Sequence, residues 1–138
     1  MIAVGLGCRA GCAAGAVLEL LEQALLASGC RLDDIGALYT ADFKSGEAGL
    51  RQAAQRLNRP LLLLSLAQLR AQAAGTLTCS AQSLERFGLP SIAETAALAG
   101  ALHLQGLGAR PRLLAPRRVA GSATCALAGV APTTELAR

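Results

Sequence analysis

The chain has 138 residues, 53% of them apolar and only 16% charged, with a formal net charge of +4. That is one ordinary domain with enough length for a core, and it is too hydrophobic for intrinsic disorder. One Tyr, two Phe and no Trp leave almost no stacking platform for nucleic acid, and the basic residues are spread along the chain rather than gathered into a stripe.

No stretch reaches the roughly 18 consecutive apolar residues that a membrane span needs. The N-terminal run MIAVGLGC lacks a basic flank and is too short for a signal peptide. A cytoplasmic location follows, with neither membrane nor nucleic acid as partner. The positive charge favours an anionic partner, and a small polyanion fits better than a polymer.

Residues 2–7, IAVGLG, form a short apolar run ending in glycines and read as a buried strand. From Ala14 to Ser28 the apolar residues Val17, Leu18, Leu21, Ala24 and Leu25 share one side, with Glu19, Glu22 and Gln23 opposite. That pattern is an amphipathic helix, closed by Gly29. A turn at 31–34 leads to a second strand, IGALYTA, at 35–41. A second helix is expected from Glu47 to Leu57, its acidic residue suited to the positive end of the helix. Pro60 precedes a third buried strand, LLLL, at 61–64.

Ser65 and Gln68 match a capping box, so a helix begins there. Ser80 is placed to cap a short helix ending near Phe87 and Gly88. Ser91 and Glu94 form a second capping box that opens a helix running to about Gln105. Two terminal strands, Arg112 to Ala115 and Ser122 to Ala128, have no helix between them and should pair antiparallel. Residues 132–138 are expected to fray. Strand–helix alternation followed by that pair predicts one α/β domain over 1–138, a three-layer α/β/α sandwich with a mixed, mostly parallel sheet.

Ligands of open α/β sheets collect outside the carboxyl ends of the strands. Three loops qualify: GLGCRAG after the first strand, TADFKSGE after the second and SLAQL after the third. The second loop holds Lys44, the only lysine in a chain that otherwise uses arginine. A lysine is a compact, movable charge that arginine does not imitate. Lys44, with Asp42 and Glu47 flanking it, is therefore the candidate for chemistry or ligand contact.

GLGCRA formally satisfies the dinucleotide fingerprint, but the acidic residue that should end the second strand is misplaced, so a tight turn is the simpler reading. Glu94 is read mainly as a helix cap and His103 as a packed residue rather than a base. The five cysteines (Cys8, Cys12, Cys30, Cys79, Cys125) contain no CxxC pair, and reduced thiols are expected. Cys8 and Cys12 straddle a glycine-rich turn, and no metal site is expected from them.

The strings GLGCRAG, TADFKSGE, SIAETAAL and ATCALA, in this order and over nearly the whole length, resemble the CobE/CbiG C-terminal domain family of cobalamin biosynthesis. The resemblance implies an α/β/α sandwich and a role in corrin-ring assembly. In the fused members the whole protein opens a lactone on a cobalt-precorrin and releases a two-carbon fragment. The stand-alone members belong to the aerobic branch. Carried over by matching position, the family-type residues are Gly5, Gly7, Cys8, Arg9, Gly11, Thr40, Asp42, Lys44, Glu47, Glu94 and Thr124.

Two departures, Ala10 and the pair Arg117 and Arg118, stand where relatives tend to carry lysine and weaken any amine-based mechanism. The expected partner is a corrin-ring intermediate, a polycarboxylate macrocycle that the chain binds and stabilises or hands on to other enzymes of the pathway, without a cofactor. The alternatives are a pathway hydrolase or isomerase using Lys44 with Asp42 or Glu47, and a nucleotide-binding module using GLGCRA.

Overall fold

The computed structural model describes residues 1–106 and 108–130. In chain order they form β1 (Ile2–Cys8), α1 (Ala14–Ser28), β2 (Ile35–Ala41), α2 (Ala48–Leu57), β3 (Leu61–Leu64), α3 (Leu66–Arg70), α4 (Ala81–Phe87), α5 (Ile92–Gln105), β4 (Pro111–Leu113), β5 (Arg118–Ala120) and β6 (Ala123–Val130). The expectation for residues 132–138 lies outside the described residues.

Local signals account for most of these boundaries. Gly29 ends α1 in the left-handed conformation and returns its N–H to the last turn. Ser65 and Gln68 make both halves of their capping box, although α3 is only five residues long. The Ser80 hydroxyl accepts the Ser83 N–H at the start of α4. The Ser91 hydroxyl accepts the Glu94 N–H at 3.1 Å to start α5. Glu47 is the cap residue of α2 rather than its first helical residue.

All six strands join one sheet, ordered β3-β2-β1-β6-β4, with β5 also pairing β6. The three N-terminal strands are adjacent and parallel, as βαβ crossovers dictate. The sheet is mixed as expected, but its antiparallel part is larger than the sequence suggested. β6 pairs antiparallel with β1 on one edge and with both β4 and β5 on the other. The two short strands are one interrupted arm: Pro111–Leu113 lie against Ala128–Val130, and Arg118–Ala120 against Ala123–Cys125. Pro116, which has no N–H to give to a ladder, sits in the gap.

The LLLL run at 61–64 differs from expectation too. It forms the strand edge of the sheet rather than a buried interior strand, and Leu63 is 46% exposed. Among the described residues, nothing pairs beyond it.

The sheet is covered on both faces, giving three layers. One face packs Val4, Leu6, Leu38 and Leu127 against Val17, Leu20, Leu21 and Leu25 of α1 and Leu50 and Ala53 of α2. The other packs Ala3, Ala37, Tyr39, Ala41, Ala126 and Ala128 against Ala93, Ala96, Ala97 and Leu98 of α5, with Leu69 and Leu89 beside them. The second face is built of small residues for a reason: a Cβ at Gly5 would overlap the Ala93 carbonyl oxygen and the Ala97 amide nitrogen. The helix lies almost directly on the strand backbone.

Candidate functional site

That close seating brings the N-terminus of α5 to the carboxyl end of β1. Because β6 runs antiparallel to β1, its first residues arrive at the same end, with Gly7 opposite Thr124 and Cys8 opposite Ala123. The β2–α2 segment and α4 complete the rim. The result is a crevice of about 160 Å³ at the carboxyl ends of the parallel strands, where open α/β sheets take their ligands.

Gly7, Cys8, Arg9, Lys44 and Thr124 from the sequence-derived set line this crevice. At Gly7 a Cβ would stand 3.0 Å from the Thr124 hydroxyl, so any larger residue would intrude on the floor. Lys44 does not sit between its flanking carboxylates. Its ammonium lies 6.0 Å from the ring centroids of both Phe43 and Phe87, and these two rings stack on each other at 4.7 Å. The two Phe in the chain thus form a small wall at the mouth, with the Arg86 guanidinium 5.3 Å from the Phe87 ring.

The other expected residues have different positions. Gly5 lies beneath α5 and outside the crevice. The Thr40 hydroxyl is buried and donates to the Leu6 carbonyl at 2.7 Å, tying β2 to β1. Asp42 is exposed at the start of the turn after β2. Glu47 turns towards the first loop, where its carboxylate accepts the Gly11 N–H at 3.2 Å. Gly11 has φ +81°, a turn that an L side chain resists. Among the described residues, no carboxylate is paired with Lys44.

Glu94 is fully buried; its backbone N–H completes the Ser91 cap, while its carboxylate turns away from the cap. One oxygen accepts the backbone N–H groups of Leu77 and Thr78 and the Thr78 hydroxyl, at 2.9–3.1 Å. The other accepts the Arg117 N–H at 3.0 Å, in the gap between β4 and β5. A buried carboxylate with four donors is well satisfied. It ties two loops to the start of α5 and so fixes where Arg117 enters the crevice.

Sequence reasoning missed the contribution of α4 and the β5–β6 hairpin. Gln82, Ser83, Arg86 and Phe87 line one side, and Arg117, Val119 and Ser122 another. Arg9 spans the opening and donates to the Gln82 side chain at 3.2 Å. The Ser83 hydroxyl is buried, with no hydrogen-bond partner among the described residues. The only advance sign of these residues was the Ser80 cap and the two arginines at 117 and 118.

Arg9, Lys44, Arg86 and Arg117 line the crevice, and among the described residues no Asp or Glu lines it. A larger hollow of about 770 Å³ lies along α2 and β3, bounded by Arg51, Asn58, Arg59 and Leu63. It shares no lining residue with the crevice, and its Arg59 is committed to the Ile35 and Leu57 carbonyls.

The glycines of the GLGCRA string fall inside β1 and against α5, not in a turn facing a phosphate. The expectation of reduced thiols is corrected for one pair: the Sγ atoms of Cys8 and Cys12 are in bonding contact, with Cα atoms 6.0 Å apart, a normal disulfide span. The physical reason is the Gly11 turn, which brings the Cys12 N–H back to the Arg9 carbonyl at 3.2 Å. Cys30, Cys79 and Cys125 are free.

Fold and crevice together define a small α/β/α-sandwich domain with a cationic cleft at its strand ends. Residues 2–128 match the family described as cobalamin synthesis G C-terminus. The chain belongs to that family, and with it among the proteins of cobalamin biosynthesis.

Over 130 residues it is 32% identical to the protein CobE of a Sinorhizobium species, covering 94% of this chain and 80% of the relative. Its structure is similar to the crystal structure of a CobE from the cobalamin pathway, with a TM-score of 0.87 and 39% identity over 96% of this chain and 91% of the other. It is also similar to cobalamin biosynthesis protein chiG from Agrobacterium tumefaciens, with a TM-score of 0.71 and 39% identity over 96% of this chain and all of the other. No described helix is long and apolar enough to cross a membrane.

Proposed function

We propose that this chain binds a corrin-ring intermediate of the aerobic branch of cobalamin biosynthesis, stabilises it, and hands it on to the next enzyme. The observation that carries this reading is the charge of the crevice: among the described residues, four cations and no carboxylate line it. Corrin precursors are flat, largely apolar macrocycles fringed with carboxylates. Arginine fits a carboxylate in a bidentate pair, and lysine offers a point charge to one.

Apolar contact is available beside the charges, from Phe43, Phe87, Ile92 and Val119. The crevice volume is below the roughly 300–1,000 Å³ of sites that enclose a drug-sized ligand. It suits one carboxylate-bearing edge of the ring, with the rest of the macrocycle lying over the Phe43–Phe87 wall. The unpartnered Ser83 hydroxyl is a further donor for that edge.

Titration of the purified protein with a series of precorrin intermediates, followed by visible absorption, tests the reading. At least one intermediate should give a saturable spectral shift that weakens as salt is raised. Lys44→Met should weaken that binding about ten- to a hundredfold, the worth of one charge-assisted hydrogen bond of roughly 1.5–3 kcal/mol. Its thermal midpoint should stay where it is. A folded parent protein that shifts no intermediate's spectrum defeats the proposal.

A further inference from the structure

A second cluster of chemically active side chains lies at the end of β1, one step from the crevice. The Sγ atoms of Cys8 and Cys12 and a carboxylate oxygen of Glu47 all lie within 4.8 Å of one another. Three separate constraints assemble them. Cys8 is the last residue of β1. Gly11 turns the loop back so that Cys12, just ahead of α1, meets it. Glu47 caps α2, and α2 approaches so closely that a Cβ at Gly49 would overlap the Cys12 carbonyl.

Both cysteines are buried, and Glu47 is half-buried. The Glu47 carboxylate is already aimed at the pair: one oxygen is 3.9 Å from the Cys8 sulphur and 3.2 Å from the Gly11 N–H that holds it in place. Such outer hydrogen bonds orient a ligating group.

The geometry points to a metal site that forms when this disulfide is reduced: Cys8, Cys12 and Glu47 ligate a borderline divalent cation of the Zn²⁺ type. Two thiolates and one carboxylate are a donor set that suits Zn²⁺, and three protein ligands leave a fourth position open. Cys8 also lines the crevice, so that position is open to water or to a ligand's carboxylate.

In the oxidised chain the two sulphurs are bonded to each other and offer no thiolate. Reduction by a dithiol breaks the S–S bond and yields two thiols, while the reductant becomes a disulfide. Metal binding then displaces the two thiol protons to solvent, and neither metal nor protein changes oxidation state in that step. The N-termini of α1 and α2 lie beside the cluster and favour its negative charge. This proposal does not depend on the corrinoid reading.

The test uses the full chain and Co²⁺ as a coloured substitute for Zn²⁺. Protein reduced with a phosphine under anaerobic conditions should take up one Co²⁺, with thiolate charge-transfer absorption in the near ultraviolet and d–d bands of a tetrahedral site. Added Zn²⁺ should bleach both. Cys8→Ser and Cys12→Ser should each abolish the charge-transfer signal, and Glu47→Gln should weaken binding by at least about tenfold. Cys79→Ser, at an exposed thiol, should bind as the parent does.

The oxidised parent, folded and with all its residues present, should bind no Co²⁺, which guards against variants that simply misfold. Absence of the bands in the reduced parent overturns the site. So does an unchanged signal in either Cys8→Ser or Cys12→Ser.

Discussion

The two faces of the sheet are packed by opposite means. On the α1/α2 face, leucine and valine fill the space between helix and strand, in the usual manner of a hydrophobic core. On the α5 face, small residues bring helix backbone close to strand backbone at Gly5, and the Tyr39 ring is seated against Gly100. The first face stabilises mainly by burying large apolar side chains, at ~25 cal/mol per Å². The second buries less area per residue but fixes position, because a helix resting on a strand without intervening side chains has little freedom to shift. It is the second face that carries the crevice: the first turn of α5 contributes Ser91, Ile92 and Ala93 to its wall.

The sharpest way to break that contrast is to add one side chain to the tight face. Gly5→Val would drive its branched side chain into the Ala93 carbonyl and the Ala97 amide, which are helix backbone and cannot turn aside. The helix would have to lift from the sheet. The expected outcome is loss of the whole fold, whose stability in domains of this size is about 5–15 kcal/mol, seen as insoluble expression or absent cooperative unfolding. On the other face, Leu21→Ala removes a fully buried side chain and should cost about 2–5 kcal/mol, measured by urea denaturation, with the fold retained. A soluble, cooperatively folded Gly5→Val protein would show that the small-residue face tolerates displacement.

A smaller change sharpens the link between that face and the site. Glu94→Gln keeps the size of the side chain but replaces one acceptor oxygen by an NH₂ group. Whichever way the amide faces, a donor meets a donor, at the Arg117 N–H or at the Leu77 and Thr78 N–H groups. The expected loss is about 1–3 kcal/mol in the same denaturation assay. Amide hydrogen exchange should locate it, quickening at Arg117 or at 77–78 while the α1/α2 face stays protected.

The legible parts of the sequence were those with local causes. The boundaries of α1, β2 and β3 follow from periodicity and from stop signals such as Gly29 and Pro60, and they match the structure. What could not be read was set by distant partners. Arg118–Ala120 is three exposed residues with no pattern of its own, and it is a strand only because β6 offers an open edge. LLLL at 61–64 looks interior because sequence does not reveal sheet order, and order alone made it an edge. The Ser91–Glu94 spacing revealed the cap but not the four donors that the Glu94 side chain collects from two loops.

In the site, Lys44 and the GLGCRAG loop were visible because strand ends announce themselves. Arg86 and Phe87 were not, because α4 reaches the rim only through tertiary packing. Glu47 was expected beside Lys44 on grounds of nearness in sequence, yet its nearest partner is Gly11, 36 residues away.

Each face also buries a group that ionises above pH 9, and their titrations offer the gentlest comparison. Burial pushes the Cys125 thiol, on the α1/α2 face, up to about 12 from its ordinary 9.0, with Arg118 pulling it slightly the other way. Burial likewise pushes the Tyr39 phenol, on the α5 face, up to about 12 from 10.0, while its hydroxyl meets His103 Nδ1 at 2.8 Å. In both cases the unfolded chain releases its proton before the folded one does. Stability from these groups is therefore complete below pH 9 and falls as pH rises towards 12. At pH 10 the larger loss should come from Cys125, on the order of 1 kcal/mol, with a smaller one from Tyr39, by the linkage relation.

Urea midpoints measured from pH 8 to 11 should therefore decline from about pH 9. Cys125→Ala should make the decline between pH 9 and 10 shallower, leaving the part-buried Cys30 thiol, also raised by burial and by Asp34, and Tyr39 to carry the rest, and Tyr39→Phe should leave the onset where it was and flatten only the later part. A decline as steep between pH 9 and 10 in Cys125→Ala as in the parent would mean that the thiol is not held neutral by its burial, and that the leucine-packed face admits more water than its packing implies.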